Sequence, residues 1–159
     1  MAEASEIARA AAAVEAAVAR LEAAGARSEV LAEVRPGRRF GPIRRPDAIV
    51  PLGRVWRLGV LLLDADGRLH RTGEVIQAQT PRFDNHQSER AAARRELRVA
   101  IARAGIAPGE TVNLGANPME LAEVLQVSWN GSADPASLVP LADYLRERVD
   151  LLIEPPAGA

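Results

Sequence analysis

The chain contains neither cysteine nor lysine. Without cysteine there is no disulfide scaffold, no thiolate metal site and no cysteine nucleophile, and nothing calls for an oxidising compartment. Without lysine there is no Schiff base, no serine activated by lysine and no phosphate-loop lysine. Histidine occurs only as His70 and His86, too few for a multi-histidine zinc site within one chain. Aromatic residues make up 3% of the sequence, so the core has to be small and aliphatic. Long apolar runs are missing as well. Runs such as Val60 to Leu63 fall far short of the roughly 20 residues that a membrane helix needs. The N-terminus carries no basic start followed by an apolar stretch. A cytoplasmic protein without a membrane partner is the expectation.

What is present suits one domain of 159 residues, long enough to bury a core without staples. The net charge of −1 hides an asymmetry: a basic middle, Arg35 to Arg103, lies between an acidic N-terminal helix and an acidic C-terminal third. From Glu3 to Ala24, Ile7, Ala11, Val14, Val18 and Leu21 recur at spacings of four and three, which predicts an amphipathic helix stopped by Gly25. Its narrow, alanine-rich stripe suits packing within the fold, with a protein partner or a homodimer as the other use of that face. Residues 26–51, rich in arginine, proline and glycine, read as a connecting segment. Residues 55–63 and 69–78 read as two strands of a β-hairpin joined at Asp64-Ala65-Asp66-Gly67.

Further along, Ser88 is placed to cap a helix running to about Ala104 and ended by Gly105. Thr111 to Leu114 is a candidate strand, Asn117-Pro118 signals a short helix, and Val124 to Trp129 is another strand. Pro140 opens a helix with Leu141, Tyr144, Leu145, Val149 and Leu152 on one face, and the tail from Pro155 is expected to be disordered. The predicted architecture is therefore α+β. A small, mainly antiparallel sheet is built on the hairpin at about 55–78, with helices on one side, residues 52–154 forming the core and residues 1–25 the leading helix.

Several groupings bear on chemistry. Arg95-Glu96-Leu97 resembles part of the glutamate-rich helix of magnesium-dependent pyrophosphohydrolases, but the second pair of glutamates that would converge on the metal is replaced by Val99 and Ala100. Asp64-Ala65-Asp66-Gly67 lacks the further oxygen ligands of a calcium loop and reads as a hairpin turn. No cofactor or metal is implied. His70, on the hairpin, reads as a surface strand residue. Asp84, His86 and Ser88 stand close together in a loop, where a carboxylate can orient an imidazole that acts as a base on a hydroxyl. Arg38, Arg39, Arg44 and Arg45 can hold phosphates or an acidic partner through bidentate hydrogen bonds. Nucleic acid is disfavoured at this level, because Phe40 and Trp56 are the only aromatics available for stacking in that region.

Two stretches, Gly53 to Val75 (GRVWRLGVLLLDADGRLHRTGEV) and Gly109 to Leu121 (GETVNLGANPMEL), followed by the VPLADYLRERVDLL ending, resemble a family of small, uncharacterised actinobacterial proteins often labelled glutaminase. The resemblance implies hydrolysis of the glutamine side-chain amide to glutamate and ammonia. The familiar glutaminase nucleophiles, serine with lysine or cysteine with histidine, are not encoded here, so such chemistry falls to Ser88 with His86 and Asp84. The residue reading itself points first to a noncatalytic protein that acts by binding. Its expected contact surfaces are the arginine-rich segment and the N-terminal helix, and anionic ligands or nucleic acid form a third class of function.

Overall fold

The computed structural model describes residues 1–79 and 89–158. In chain order its elements are α1 (Ala2–Ala23), β1 (Glu29–Arg35), β2 (Arg39–Phe40), β3 (Ile43–Arg44), β4 (Ala48–Leu58), β5 (Leu61–Asp64), β6 (Leu69–Arg71), β7 (Glu74–Gln77), α2 (Glu89–Arg103), β8 (Thr111–Leu114), β9 (Asn117–Met119), β10 (Gln126–Ser128), β11 (Leu138–Pro140) and α3 (Leu141–Ile153). The class is α+β, but the pairing is mixed where a mainly antiparallel sheet was expected, because β1 and β8 run parallel. The chain forms two compact units. One comprises Met1–Ser28, Arg54–Thr72 and Ala116–Ala159, and the other Glu29–Gly53 and Gly73–Gly115.

In the first unit the antiparallel run formed by the end of β4, then β5, β6 and β9 presents Trp56, Leu58, Leu61, Leu63 and Leu69 on one face. Against them pack Ala10, Val14, Ala17 and Leu21 of α1 and Leu141, Tyr144, Leu145 and Val149 of α3. The apolar stripe of the leading helix is thus used inside its own unit. Small residues at Ala10 and Ala17 allow a close approach, and Leu21 is fully buried, a burial that stabilises by about 2 kcal/mol. Gly25, at φ +57°, stops the helix as the sequence indicates. The surface ion pairs Arg20–Asp150 (2.7 Å) and Arg9–Asp143 (3.8 Å) link α1 to α3 but add little, since both are exposed.

The sequence-predicted hairpin is corrected in detail. Residues 55–63 are not one strand: the chain reverses at Gly59-Val60, with Leu58 paired to Leu61 and Gly59 at φ +63°. The Tyr144 hydroxyl holds this reversal by donating to the Leu58 carbonyl (2.8 Å) and accepting from the Val60 amide (2.9 Å). Nor is 69–78 one strand, because β6 ends at Arg71 and β7 pairs instead with β8. A Cβ on Gly73 would overlap the Leu114 carbonyl, so this glycine lets the chain pass close to β8. The helix expected at Asn117-Pro118 is strand β9, paired with β6 through Leu69↔Met119, His70↔Pro118 and Arg71↔Asn117. Ladder pairing outweighs the local capping signal, and proline is tolerated because β9 is an edge strand.

In the second unit β1 joins β8 in parallel and β7 joins β8 antiparallel, and Val30, Ala32, Ile49, Val112 and Leu114 form a core closed by Ile101 of α2. Asn113 is fully buried yet satisfied, its amide donating to Glu29 Oε2 (2.7 Å) and more weakly to the Val30 carbonyl. Residues 26–51, expected to be a connecting segment, therefore contain β1, a two-stranded ribbon (β2–β3) and the start of β4. Gly105, at φ +77°, follows α2 as expected. The tail carries no helix or strand from Pro155 through Gly158. No helix among the described residues is long and apolar enough to cross a membrane.

Replacing Tyr144 with Phe should cost about 2 kcal/mol, because it strands the Leu58 carbonyl and the Val60 amide at the turn. Urea unfolding of the two proteins measures this, and equal midpoints would show that the hydroxyl does not hold the turn.

Candidate functional site

Arg38, Arg39, Arg44 and Arg45, nominated by charge alone, are brought together by a structure the sequence did not reveal. They flank a two-residue turn, Gly41-Pro42, in an antiparallel ribbon with Arg39 opposite Arg44 and Phe40 opposite Ile43. The Arg45 amide donates to the Arg38 carbonyl (3.2 Å), extending the pairing by one position. Glycine first in the turn, at φ +57°, supplies the positive dihedral that tight hairpins require, and proline second fixes its own φ. Every residue from Arg38 to Ala48 is exposed.

The base of the ribbon is fixed as firmly as its tip. A Cβ on Gly37 would overlap the carbonyls of Arg45 and Pro46, so only glycine fits there. The Gly37 amide donates to Asp47 Oδ1 (3.0 Å), which also stands 3.9 Å from the Arg44 guanidinium. Directly opposed like charges destabilise a β-ladder. Within Arg38–Pro46 the ribbon carries four arginines and no acid, and Asp47 at its base is the first carboxylate after Glu33.

Beside the ribbon lies a groove of about 730 Å³. Its apolar floor includes Val34, Ile49, Leu97 and Ala100, and its polar groups are Arg44, Arg45, Asp47, Arg95, Glu96 and Arg103. Two of the four nominated arginines thus share the lining of one concavity with two from α2, together with Asp47 and Glu96. By sequence Arg95 stood out only within Arg95-Glu96-Leu97 and Arg103 only as the end of the basic middle, and neither was nominated to hold a ligand. The signal that could have found them is the helical spacing that returns them to the face of α2 carrying Val99 and Ala100.

The first unit holds the other notable pair. His70, predicted to be exposed, is buried at 7% accessibility. Its Nε2 lies 3.0 Å from Asp64 Oδ2, while Asp64 Oδ1 accepts from the amides of Asp66 and Arg68 at 2.9 Å each. The expectation failed because Leu69 and His70, which alternation sends to opposite faces of β6, are both buried, so the strand is covered on both faces. A carboxylate that orients an imidazole is one element of acid–base chemistry. Here the same carboxylate caps the β5–β6 turn, which gives the pair a structural task. Asp84, His86 and Ser88 lie outside the described residues.

No family model, no curated protein and no solved structure matches the chain. The functional reading therefore rests on the geometry of the site.

Asp64→Ala is expected to lower stability by about 3 kcal/mol through loss of the turn cap and the histidine partner, whereas Arg44→Gln on the exposed ribbon should stay within about 0.5 kcal/mol. Denaturant midpoints of the two variants check the contrast. Equal and small effects would mean that the Asp64–His70 pair is not structural.

Proposed function

We propose that this is a noncatalytic binding protein whose working surface is the arginine ribbon with the groove at its base, and that its ligand is anionic. The observation that carries the reading is the pairing of arginine with arginine across β2 and β3, held by Gly37 and by the Gly41-Pro42 turn. A solubilising surface interleaves charges of both signs. This ribbon instead concentrates one sign on a scaffold whose register allows no separation of the charges, and an anion relieves that repulsion. Guanidinium suits the task, being permanently charged and able to present two parallel N–H groups to a phosphate or carboxylate. The groove extends the same surface, with an apolar floor for the body of a ligand and Arg95 and Arg103 on the helix side.

Long-chain inorganic polyphosphate is the direct probe, because it offers charge without bases, sugars or apolar groups. Binding measured by calorimetry over a range of salt should weaken steeply as salt rises. The variant R38Q/R39Q/R44Q/R45Q should lose at least tenfold in affinity at low salt. Affinity that ignores both the salt and the four substitutions would overturn the reading, as would absence of binding by the folded protein.

A further inference from the structure

Resting on that reading, we propose that the anion is duplex DNA, that the β2–β3 ribbon enters one of its grooves, and that Phe40 and Ile43 at the tip press against the base stack. The argument begins with the alternation of side chains along a strand. Arg39 and Arg44, directly opposed, stand on one face of the ribbon. Phe40 and Ile43, one position further on, stand on the other, and Arg38 and Arg45, one position back, share that second face. The ribbon therefore carries a pair of positive charges on each of its two faces.

A small anion, or a flat acidic surface on another protein, answers only part of this set: even in the groove beside the ribbon, which Arg44 and Arg45 both line, Arg38 and Arg39 are not reached. A ligand that answers both pairs at once must surround the ribbon with negative charge. A nucleic-acid groove does so, because phosphate rails run along both of its walls. Two strands in a sheet lie about 4.8 Å apart, and such a ribbon is slim enough to enter a DNA groove. Single strands offer one rail, and they are held by rows of stacking aromatics, whereas this ribbon has Phe40 alone. In duplex RNA the major groove is too deep and narrow for side chains to read, which favours DNA.

The tip supplies the second argument. Phe40 is 66% exposed and Ile43 is 70% exposed, although they form the cross-strand pair nearest the turn. Large apolar side chains at the end of a positively charged arm have the chemistry of wedges that partly unstack a base step and bend the duplex. Phe40 and Ile43 are the large side chains next to the Gly41-Pro42 tip, so they meet the bases beside the turn while the arginines behind them remain level with the phosphates.

The test uses the full chain and three labelled nucleic acids of equal length: a mixed-sequence DNA duplex, one of its strands, and the matching RNA duplex, with polyphosphate alongside. Anisotropy should show the DNA duplex bound at least tenfold more tightly than the single strand or the RNA duplex. A fourfold rise in salt should weaken duplex binding about a hundredfold, as four phosphate contacts imply. The variant R38Q/R39Q/R44Q/R45Q should lose both duplex and polyphosphate. F40S/I43S should keep polyphosphate, lose most of the preference for duplex DNA, and abolish the bend reported by energy transfer between labelled duplex ends. Polyphosphate binding without a preference for duplex DNA, or an F40S/I43S protein that bends and binds DNA like the wild type, would overturn this inference and leave the anion-binding reading standing. A stronger preference for duplex RNA would overturn it in the same way. Failure to bind polyphosphate would overturn both.

Discussion

The register of the β2–β3 ribbon is set at both ends by the backbone demands of a few residues. At the tip, Gly41 takes a positive φ that a residue with a Cβ adopts at a cost, and Pro42 locks the next position. At the base, Gly37 passes so close to the carbonyls of Arg45 and Pro46 that no side chain fits, and its amide is held by Asp47. A slip of one residue would move every side chain of the ribbon to the opposite face. The arrangement of two arginine pairs on two faces, with apolar residues beside the tip, is thus a consequence of three backbone positions, Gly37, Gly41 and Pro42, and of the Asp47 side chain. The groove depends on the same constraint, since Arg44 and Arg45 line it from the ribbon side.

The charge asymmetry along the chain acquires a structural meaning. The unit that carries the ribbon has eleven arginines against eight acids, a formal +3, whereas the other has nine arginines against thirteen acids, a formal −4. A net charge of −1 therefore describes neither unit. A field of one sign around the ribbon raises the local concentration of an anionic partner and speeds its approach. The acidic unit holds what reads as internal structure: the α1–α3 packing, the Tyr144 clasp on the Gly59-Val60 turn and the buried Asp64–His70 pair.

The helices were legible because their signals are local and periodic. The face from Leu141 to Val149 after Pro140 reappears as a buried helix face, whereas of the stripe from Ile7 to Leu21 with its stop at Gly25 only Val14 and Leu21 are buried, Ile7, Ala11 and Val18 are half-buried, and the buried line runs through Ala10 and Ala17 instead. The strands were harder to read. Gly59 inside VWRLGVLLL gives no sign, by pattern alone, that it is the turn of a hairpin and not a residue of one long strand. Asn117-Pro118 carries a valid helix-start signal that is overridden by pairing with β6. His70 was misplaced because alternation shows which residues share a face but not whether both faces are covered. The four arginines were found by composition, yet the proline and glycine around them suggested a loop. Strands of two residues are too short to show alternation, and the near-mirror order Arg38-Arg39-Phe40-Gly41-Pro42-Ile43-Arg44-Arg45 was the one available clue.

The central claim is that ligand binding is located on a ribbon of fixed register, and amide chemical shifts recorded while the protein is titrated with an anionic ligand test it most directly. The account predicts that perturbations concentrate on residues 37–47, on both strands of the ribbon and at its glycine base, and extend to the groove face of α2 from Arg95 to Arg103. Perturbations centred on residues 80–88 or on the Asp64–His70 pair, with the ribbon amides unmoved, would contradict it.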